Sequence, residues 1–431
     1  MLSYAIMLKR IKKLIGDRNP IRLWYHFTRA FIAALINGFP ARNLTVIGIT
    51  GTDGKTTSVG MTAHILQKAG LKCGALSTAF LQIQDEIEWN ETQKTSPSPF
   101  IIQKFLRDLV KQGCTHAVLE ISSHGLVQGR VAFTNPSIAG ITNTSAEHLD
   151  YHGTLEQYRK DKAKLFYMLR EKGTKVMNRD DGSYEVLNDI PSEHEIEYSL
   201  KGEGNFWITD VSVSPDESNA ILHQEDNENT WNLNISLPGS FNLENALCAL
   251  SCAHAAGVSI DKSIQALQSF RGAPGRMERI DEGQPFSVFV DFTVTPEAYK
   301  KTLKALRDIV GTDHKILVLT GSCGDRMKEK RPEVGRICSD SADTVVVANE
   351  DPYTEDPQKI IDEVWAGVDE TKCSAHQIFD RKEAITFILN EAKPGDAVIL
   401  CGKGSDTTMW VKEGQIPWNE REIVSELLRS L

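Results

Sequence analysis

Leu44-Thr45-Val46-Ile47-Gly48-Ile49-Thr50 runs directly into Gly51-Thr52-Asp53-Gly54-Lys55-Thr56-Thr57. The first seven residues are short, apolar and β-branched, as a buried strand requires. The next seven form a glycine-rich turn that ends on a lysine and two threonines, and Val59 to Ala69 reads as a helix. Strand, glycine loop and helix in that order make a phosphate-binding loop. The backbone N–H groups and the helix N-terminus hold the phosphates, Lys55 reaches the terminal ones, and the Thr56 hydroxyl binds Mg²⁺. The spacing departs from the common form, because five residues rather than four separate Gly48 from Gly54.

Outward from this loop the pattern stays α/β. Ala117 to Ile121 reads as a strand, Glu156 to Arg170 and Ala246 to Ala256 as helices, and Arg179 to Asn234 as polar, alternating β-hairpins. Gly272-Ala273-Pro274-Gly275 breaks the pattern and marks a domain boundary. Beyond it come a strand at Val288 to Asp291, a helix at Pro296 to Val310, and strands at Lys315 to Thr320, Thr344 to Ala348 and Ala397 to Cys401. Strands alternating with helices predict a second, Rossmann-like parallel domain.

The chain has 431 residues, 41% hydrophobic, 25% charged and 7% aromatic, which excludes collagen-like, coiled-coil and wholly disordered classes. With 58 acidic against 48 basic residues, the net charge of −10 argues against a nucleic-acid-binding surface. Eight Cys without a C-x-x-C pair fit neither a disulfide scaffold nor a zinc ribbon, and Cys248 and Cys252 read as buried thiols in a reducing cytoplasm. No apolar run reaches the ~18–20 residues of a membrane span. The first forty residues run against the overall charge: Lys9, Arg10, Lys12, Lys13, Arg18 and Arg22 face one acid, Asp17. Leu23, Phe27, Phe31 and Leu35 recur every four residues and predict a helical arm with one apolar face. That face either packs on the next domain or touches an anionic lipid surface.

Several motifs, in one order, resemble those of the ATP-dependent Mur ligases and of their MurE branch in particular. The loop has the T-G-T-x-G-K-T-T form. Thr95-Ser96-Pro97 is similar to the turn that meets the first substrate. Glu120-Ile121-Ser122-Ser123-His124-Gly125-Leu126-Val127-Gln128-Gly129-Arg130 resembles E-V-S-S-H-G-L-x-Q-x-R. Asn143 to Gly153 resembles N-x-x-x-D-H-L-D-Y-H-G, with Tyr158 and Lys162 in the register of the Y-x-x-x-K that follows. Gly239 to Ala246 resembles G-x-F-N-x-x-N-A, Pro274 to Glu278 resembles P-G-R-M-E, and Gly321 to Pro332 resembles G-x-G-G-D-R-D-x-x-K-R-P.

The resemblance implies an ATP- and Mg²⁺-dependent, amide-forming acid–amino-acid ligase of peptidoglycan synthesis. Its reaction passes the γ-phosphoryl of ATP to a carboxylate, and an amine then attacks the acyl phosphate. Catalysis would rest on Lys55, Glu120, His148 and Lys162, with Mg²⁺ held by Thr56, Glu120, His148 and a Lys162 carbamylated by CO₂. ATP would meet Gly51, Thr52, Asp53, Gly54, Lys55, Thr56, Thr57, Asn242, Asn245, Arg276 and Asp291. Substrate would meet Thr95, Ser96, Ser122, Gln128, Arg130, Arg326, Asp351, Tyr353, Gly402 and Asp406. The implied partners are a muramyl-peptide precursor and a free amino acid, for a cytoplasmic monomer with weak membrane-surface contact through the arm.

The expected domains are a helical arm at 1–40, where the family's UDP-binding domain is largely missing, a central ATP-binding domain at 41–272 and a C-terminal domain at 273–431. Three segments depart from the family. D-Y-A-H becomes Asp291-Phe292-Thr293-Val294, D-N-P-R becomes Glu350-Asp351-Pro352-Tyr353, and G-K-G-H-E becomes Gly402-Lys403-Gly404-Ser405-Asp406. Losing the Arg fork disfavours a second distal carboxylate on the acceptor. Glu350, Asp351 and Asp406 are expected to meet an amine instead, which favours lysine, ornithine or a similar diamino acid. The other readings are a polyglutamate- or cyanophycin-type relative and a non-catalytic nucleotide-binding regulator.

Overall fold

The computed structural model describes residues 18–214 and 216–431. Of the basic arm, Lys9, Arg10, Lys12, Lys13 and Asp17 lie outside the described residues. The described chain divides into two compact units, one of residues 18–199, 203–205 and 248–263, the other of 200–202, 206–247 and 264–431.

The first unit is built on a mostly parallel sheet. Its strands are β1 (Thr45–Thr50), β2 (Cys73–Leu76), β3 (Phe80–Ile83), β4 (Glu86–Trp89), β5 (His116–Glu120), β6 (Ile138–Ile141), β7 (Thr174–Asn178) and β8 (His194–Ser199), in the order β8-β7-β6-β1-β5-β2-β3-β4. Only the β2–β3 and β3–β4 pairings are antiparallel. β1 lies between β5 and β6 and is buried from Val46 onward, which explains its unbroken apolar run. This places the loop after β1 at the carboxyl edge of the sheet, where ligands bind in such folds. The helix after the loop starts at Lys55, earlier than the expected Val59, because Gly54 takes a left-handed φ of 80° and caps it directly.

The segment expected as one helix from Glu156 to Arg170 is instead a helix at Leu155–Ala163 and a 3₁₀ turn at Phe166–Met168. The break turns Leu165 and Phe166 into the core. The arm forms a helix at Pro20–Ile36, but the expected face is corrected. Ala30, Ala33 and Ala34 are the buried residues, packed toward the helix Pro99–Lys111, while Phe27, Phe31 and Leu35 are exposed. Apolar residues cover most of the helix, broken by a line of Arg22, His26 and Arg29, and the alanine side allows the closest approach of another backbone.

In the second unit, β9 (Phe206–Val213), β10 (Ser218–Gln224) and β11 (Asn227–Ile235) form an antiparallel meander. The hairpin expectation therefore holds for these strands and fails for the short helix Tyr184–Asn188, while β8 pairs with β7 in parallel. A second sheet carries β12 (Glu278–Ile280), β13 (Ser287–Asp291), β14 (Ile316–Thr320), β15 (Thr344–Val347), β16 (Ser374–Gln377) and β17 (Ala397–Cys401) in the order β12-β13-β17-β14-β15-β16. All its pairings except β12–β13 are parallel, as expected of a Rossmann-like domain.

A fully buried ion pair crosses this unit. Arg381 Nε and Nη2 donate to the Glu420 carboxylate at 2.6 and 2.8 Å, and Nη2 also donates to the Cys401 carbonyl at 2.7 Å. Removing one partner leaves a buried charge uncompensated, so Arg381→Met should cost about 3–5 kcal/mol. The double change Arg381→Met with Glu420→Leu should recover most of that loss. Thermal unfolding of the variants checks this, and a single variant as mild as the double would contradict it.

Candidate functional site

The loop after β1 is shaped by its glycines. Gly51 has φ 149°, and a Cβ there would run into the Thr142 hydroxyl at the end of β6. Thr142 Oγ1 in turn donates to the Asp53 carbonyl at 2.6 Å, and Asn143 exchanges hydrogen bonds with the Asp53 backbone at 3.1 and 3.3 Å. The loop is therefore tied to the end of the neighbouring strand. Lys55 Nζ donates to the Thr52 carbonyl at 2.6 Å. Thr57 is buried.

The side chain of Lys162 enters the same loop from the helix Leu155–Ala163. It is 1% exposed, its Nζ donates to the Gly51 carbonyl at 2.5 Å, and it stands 4.3 Å from the centre of the Tyr158 ring. Burial first, and the Lys55 cation second, push this amine well below the ordinary lysine range against the pull of Asp53, Asp181 and Glu147. Tyr158 meets the Thr52 hydroxyl at 3.3 Å. A buried relay fixes this helix. Asp161 accepts from His152 Nδ1 at 2.7 Å, and His152 Nε2 meets Ser123 Oγ at 3.0 Å. Burial opposes the charge on Asp161, but hydrogen bonds from His152, Lys164 and Arg18 hold its carboxyl far below the usual range.

Glu120 ends β5, fully buried. Its carboxylate accepts from Thr56 Oγ1 at 3.0 Å, from the Thr78 amide at 2.7 Å and from Thr78 Oγ1 at 2.9 Å. Thr78 also meets Thr95 at 2.9 Å, which links the expected substrate turn to the expected metal carboxylate. Ser96 accepts from the Ser122 amide at 3.0 Å, and its carbonyl accepts from Arg130. Gln128 caps the short helix Ser123–Val127. His148 holds a left-handed φ of 54° with its ring 4.8 Å from that of His124. Among the described residues, no three His, Cys, Asp or Glu side chains form a metal cage. The oxygen donors Thr56 and Glu120 suit instead a hard cation that keeps waters and binds largely through phosphates, which is how Mg²⁺ behaves.

The second unit carries the remaining candidates. Asn242 and Asn245 are buried and joined at 3.2 Å, inside a helix that starts at Ser240 rather than at Ala246. The Arg276 guanidinium lies 4.4 Å from the centre of the Phe292 ring, so the Phe that replaces the family's Tyr still supplies an aromatic face. Asp291 accepts from the Met277 amide at 2.6 Å and holds the 275–278 turn.

Lys403 is fully buried and donates to both Asp351 oxygens at 2.8 and 2.9 Å, to Asp406 at 3.3 Å and to the Thr408 carbonyl at 2.8 Å. The expectation that three carboxylates await an amine is corrected for Asp351, which a lysine of the chain already engages. Glu350 is pushed up by burial and accepts from Cys323 Sγ at 3.0 Å. Gly402 lies so close that a Cβ there would meet the Glu350 carboxylate. Asp406 is likewise raised by burial, against the pull of Lys403. Tyr353 stacks on Trp410 at 5.5 Å and 16°, with the exposed Arg326 guanidinium 5.4 Å from its ring centre.

Residues 49–253 match the Mur ligase middle domain and residues 275–404 the Mur ligase, glutamate ligase domain. A UDP-N-acetylmuramyl-tripeptide synthetase of Roseiflexus sp. (strain RS-1) is 35% identical over 410 residues, covering 90% of this chain and 79% of that protein. The chain belongs to the Mur ligase family. A solved UDP-N-acetylmuramoyl-L-alanyl-D-glutamate--2,6-diaminopimelate ligase superposes with a TM-score of 0.63 at 31% identity, over 90% of this chain and 78% of that one. A folylpolyglutamate synthase of Mycobacterium tuberculosis, solved with ADP and AMPPCP, shares the fold at a TM-score of 0.71 and 17% identity, over 98% and 97% of the two chains.

Mur ligases are ATP-dependent peptide ligases. In this Mur ligase Lys403 and Asn143 lie inside family motifs but take their roles from partners distant in the chain, and Thr78 lies in no motif.

The buried amine has a measurable consequence. Where the folded Lys162 is neutral, the unfolded chain's lysine still carries its proton, so folding sheds a proton there. Stability contributed at this position therefore rises with pH until it approaches the ordinary lysine value of about 10.4. Relative to Lys162→Met, the wild type should gain stability between about pH 7 and about pH 9.5. Urea unfolding at both values checks this, and a gap independent of pH would contradict it.

Proposed function

We propose that this chain joins a free amino acid to the terminal carboxylate of a UDP-muramoyl-dipeptide-like precursor, at the cost of one ATP. The observation that carries the reading is the position of the Lys162 amine, buried and set on the Gly51 carbonyl of the phosphate loop. An ordinary helix-face lysine would be solvated. A desolvated neutral amine beside a phosphate loop is the form that attacks CO₂. The product is a carbamate on Nζ and a released proton, which converts a cation into an anionic oxygen ligand.

Two anions, ATP and a carboxylate, must meet in this reaction. Lys55 and the loop amides offset their charge and hold them in line. Mg²⁺, when bound, neutralises and templates the phosphates; Thr56 and Glu120 would hold one ion, and Glu120, His148 and the carbamylated Lys162 a second. The acyl phosphate formed on the precursor is attacked by the incoming amine, the C–O bond to phosphate breaks, and the amine gives up its proton.

We assign Arg326 to the amino acid's carboxylate. Its guanidinium is exposed and steadied by the Tyr353 ring. Glu350, with Gly402 at the wall, and Asp406, which Lys403 shares at 3.3 Å, are assigned to the acceptor's far end, which fits a diamino acid. Thr95, Ser96, Ser122, Gln128 and Arg130 are assigned to the dipeptide. Asn242, Asn245, Arg276 and Asp291 are assigned to the nucleotide, by their register with the family motifs. We take 1–40, 41–272 and 273–431 as arm, ATP-binding domain and C-terminal domain of a cytoplasmic monomer.

The test is turnover with ATP, UDP-muramoyl dipeptide and a panel containing lysine, ornithine and meso-diaminopimelate, read by phosphate release and product mass. Phosphate should appear only with a matched pair, and Lys55→Ala and Lys162→Ala should each lower kcat/KM by at least about a hundredfold. Turnover with a polyglutamyl acceptor and with no muramoyl peptide would overturn the substrate reading. Full turnover by Lys55→Ala would overturn the site.

A further inference from the structure

The arm helix Pro20–Ile36 presents to solvent a face that a soluble surface has no use for. Ile21, Trp24 and Ile36 are 74%, 70% and 67% exposed, and Tyr25, Ile32 and Leu35 are exposed beside them. Positions 21, 24, 25, 32, 35 and 36 fall on one side of a 3.6-residue period, opposite the buried Ala30, Ala33 and Ala34. The stripe runs along the helix with Thr28 as its one polar member, whose hydroxyl donates to the Trp24 carbonyl, whereas solitary exposed apolar side chains are ordinary. Aromatic neighbours continue it: Phe27 and Phe31 gather round Phe133, and Phe100 is exposed nearby.

The charge around this stripe has one sign. From residue 18 to residue 52 there is no Asp or Glu, while Arg22, Arg29 and Arg42 lie in that span beside Arg18, which Asp161 already engages, on a chain whose net charge is −10. Arg29 lies 5.7 Å from the Tyr25 ring centre and 5.8 Å from that of Phe100, so a cation sits at the edge of the apolar face. The preceding sequence adds Lys9, Arg10, Lys12 and Lys13 against one acid. A second copy of the helix would bring arginine against arginine with no acid in the segment to answer them. A surface of negative charge over hydrocarbon answers both features at once.

We propose that this helix docks the chain on the surface of a bilayer rich in anionic lipid, with Trp24 and Tyr25 at headgroup level and Ile21, Ile32, Leu35 and Ile36 in the acyl boundary. The helix lies on the membrane and does not cross it: its 17 residues span about 26 Å, and no described helix is long and apolar enough to traverse a bilayer. The docking is independent of which amino acid the enzyme adds.

Flotation of the full chain with vesicles of phosphatidylglycerol and phosphatidylcholine tests it, with pure phosphatidylcholine vesicles as the comparison. The wild type should float with the anionic vesicles, progressively less as salt is raised, and should stay behind with the neutral ones. The double variant Trp24→Glu with Ile32→Glu should lose at least tenfold in partitioning. Its thermal midpoint and its ATP-dependent turnover in solution should be unchanged, since neither side chain is buried. Failure of the wild type to float with anionic vesicles would overturn the proposal, as would equal binding by the variant. A wild-type dimer that the variant converts to monomer, with no vesicle binding, would assign the face to a second copy instead.

Discussion

The contact between the Lys162 amine and the Gly51 carbonyl, at 2.5 Å and shut off from water, is the constraint on which the rest of the first unit turns. It requires residue 51 to be glycine, because β6 brings Thr142 against the place a Cβ would occupy. It requires the helix Leu155–Ala163 to end where it does, and the Ser123–His152–Asp161 relay fixes that helix from beneath. It also sets the chemistry. A charged lysine at this depth carries a large desolvation cost, and the nearby Lys55 cation adds to it, so the amine is pushed well below the ordinary lysine range.

The second unit meets the same problem, buried charge, in the opposite way. Burial pulls the Lys403 pKa down, but Asp406 and Asp351 around it raise it above the ordinary lysine value. The Lys403–Asp351 pair locks the loop after β17 to the loop after β15, and the Trp410 amide donates to the same Asp351 oxygen that Lys403 meets. This corner of the unit is thus a tied wall with Glu350, Asp406 and the Tyr353–Trp410 stack on it. Its carboxylates are engaged by the chain's own lysine more than the residue types suggest.

What the sequence made legible was local. The phosphate loop announces itself by glycine, lysine and threonine at fixed offsets from a β-branched strand. The helix Pro296–Val310 and the strand Ala397–Cys401 fall where the periodicity and the breakers put them. What stayed hidden depends on partners distant in the chain. Lys403 and Asp351 are 52 residues apart, and nothing in either tripeptide says that they meet. Thr78 joins Glu120 across 42 residues and belongs to no motif. The arm misled for a different reason. Its apolar residues cover most of the helix, so a four-residue repeat picks out one stripe among several, and the buried stripe is the one whose alanines admit the neighbouring helix.

Carbamylation of the Lys162 amine is read directly by ¹³C NMR of the full chain in ¹³C-bicarbonate with Mg²⁺. One carbamate resonance is expected from the protein, and none from Lys162→Gln. No carbamate resonance in the wild type, or one that survives in Lys162→Gln, would contradict it.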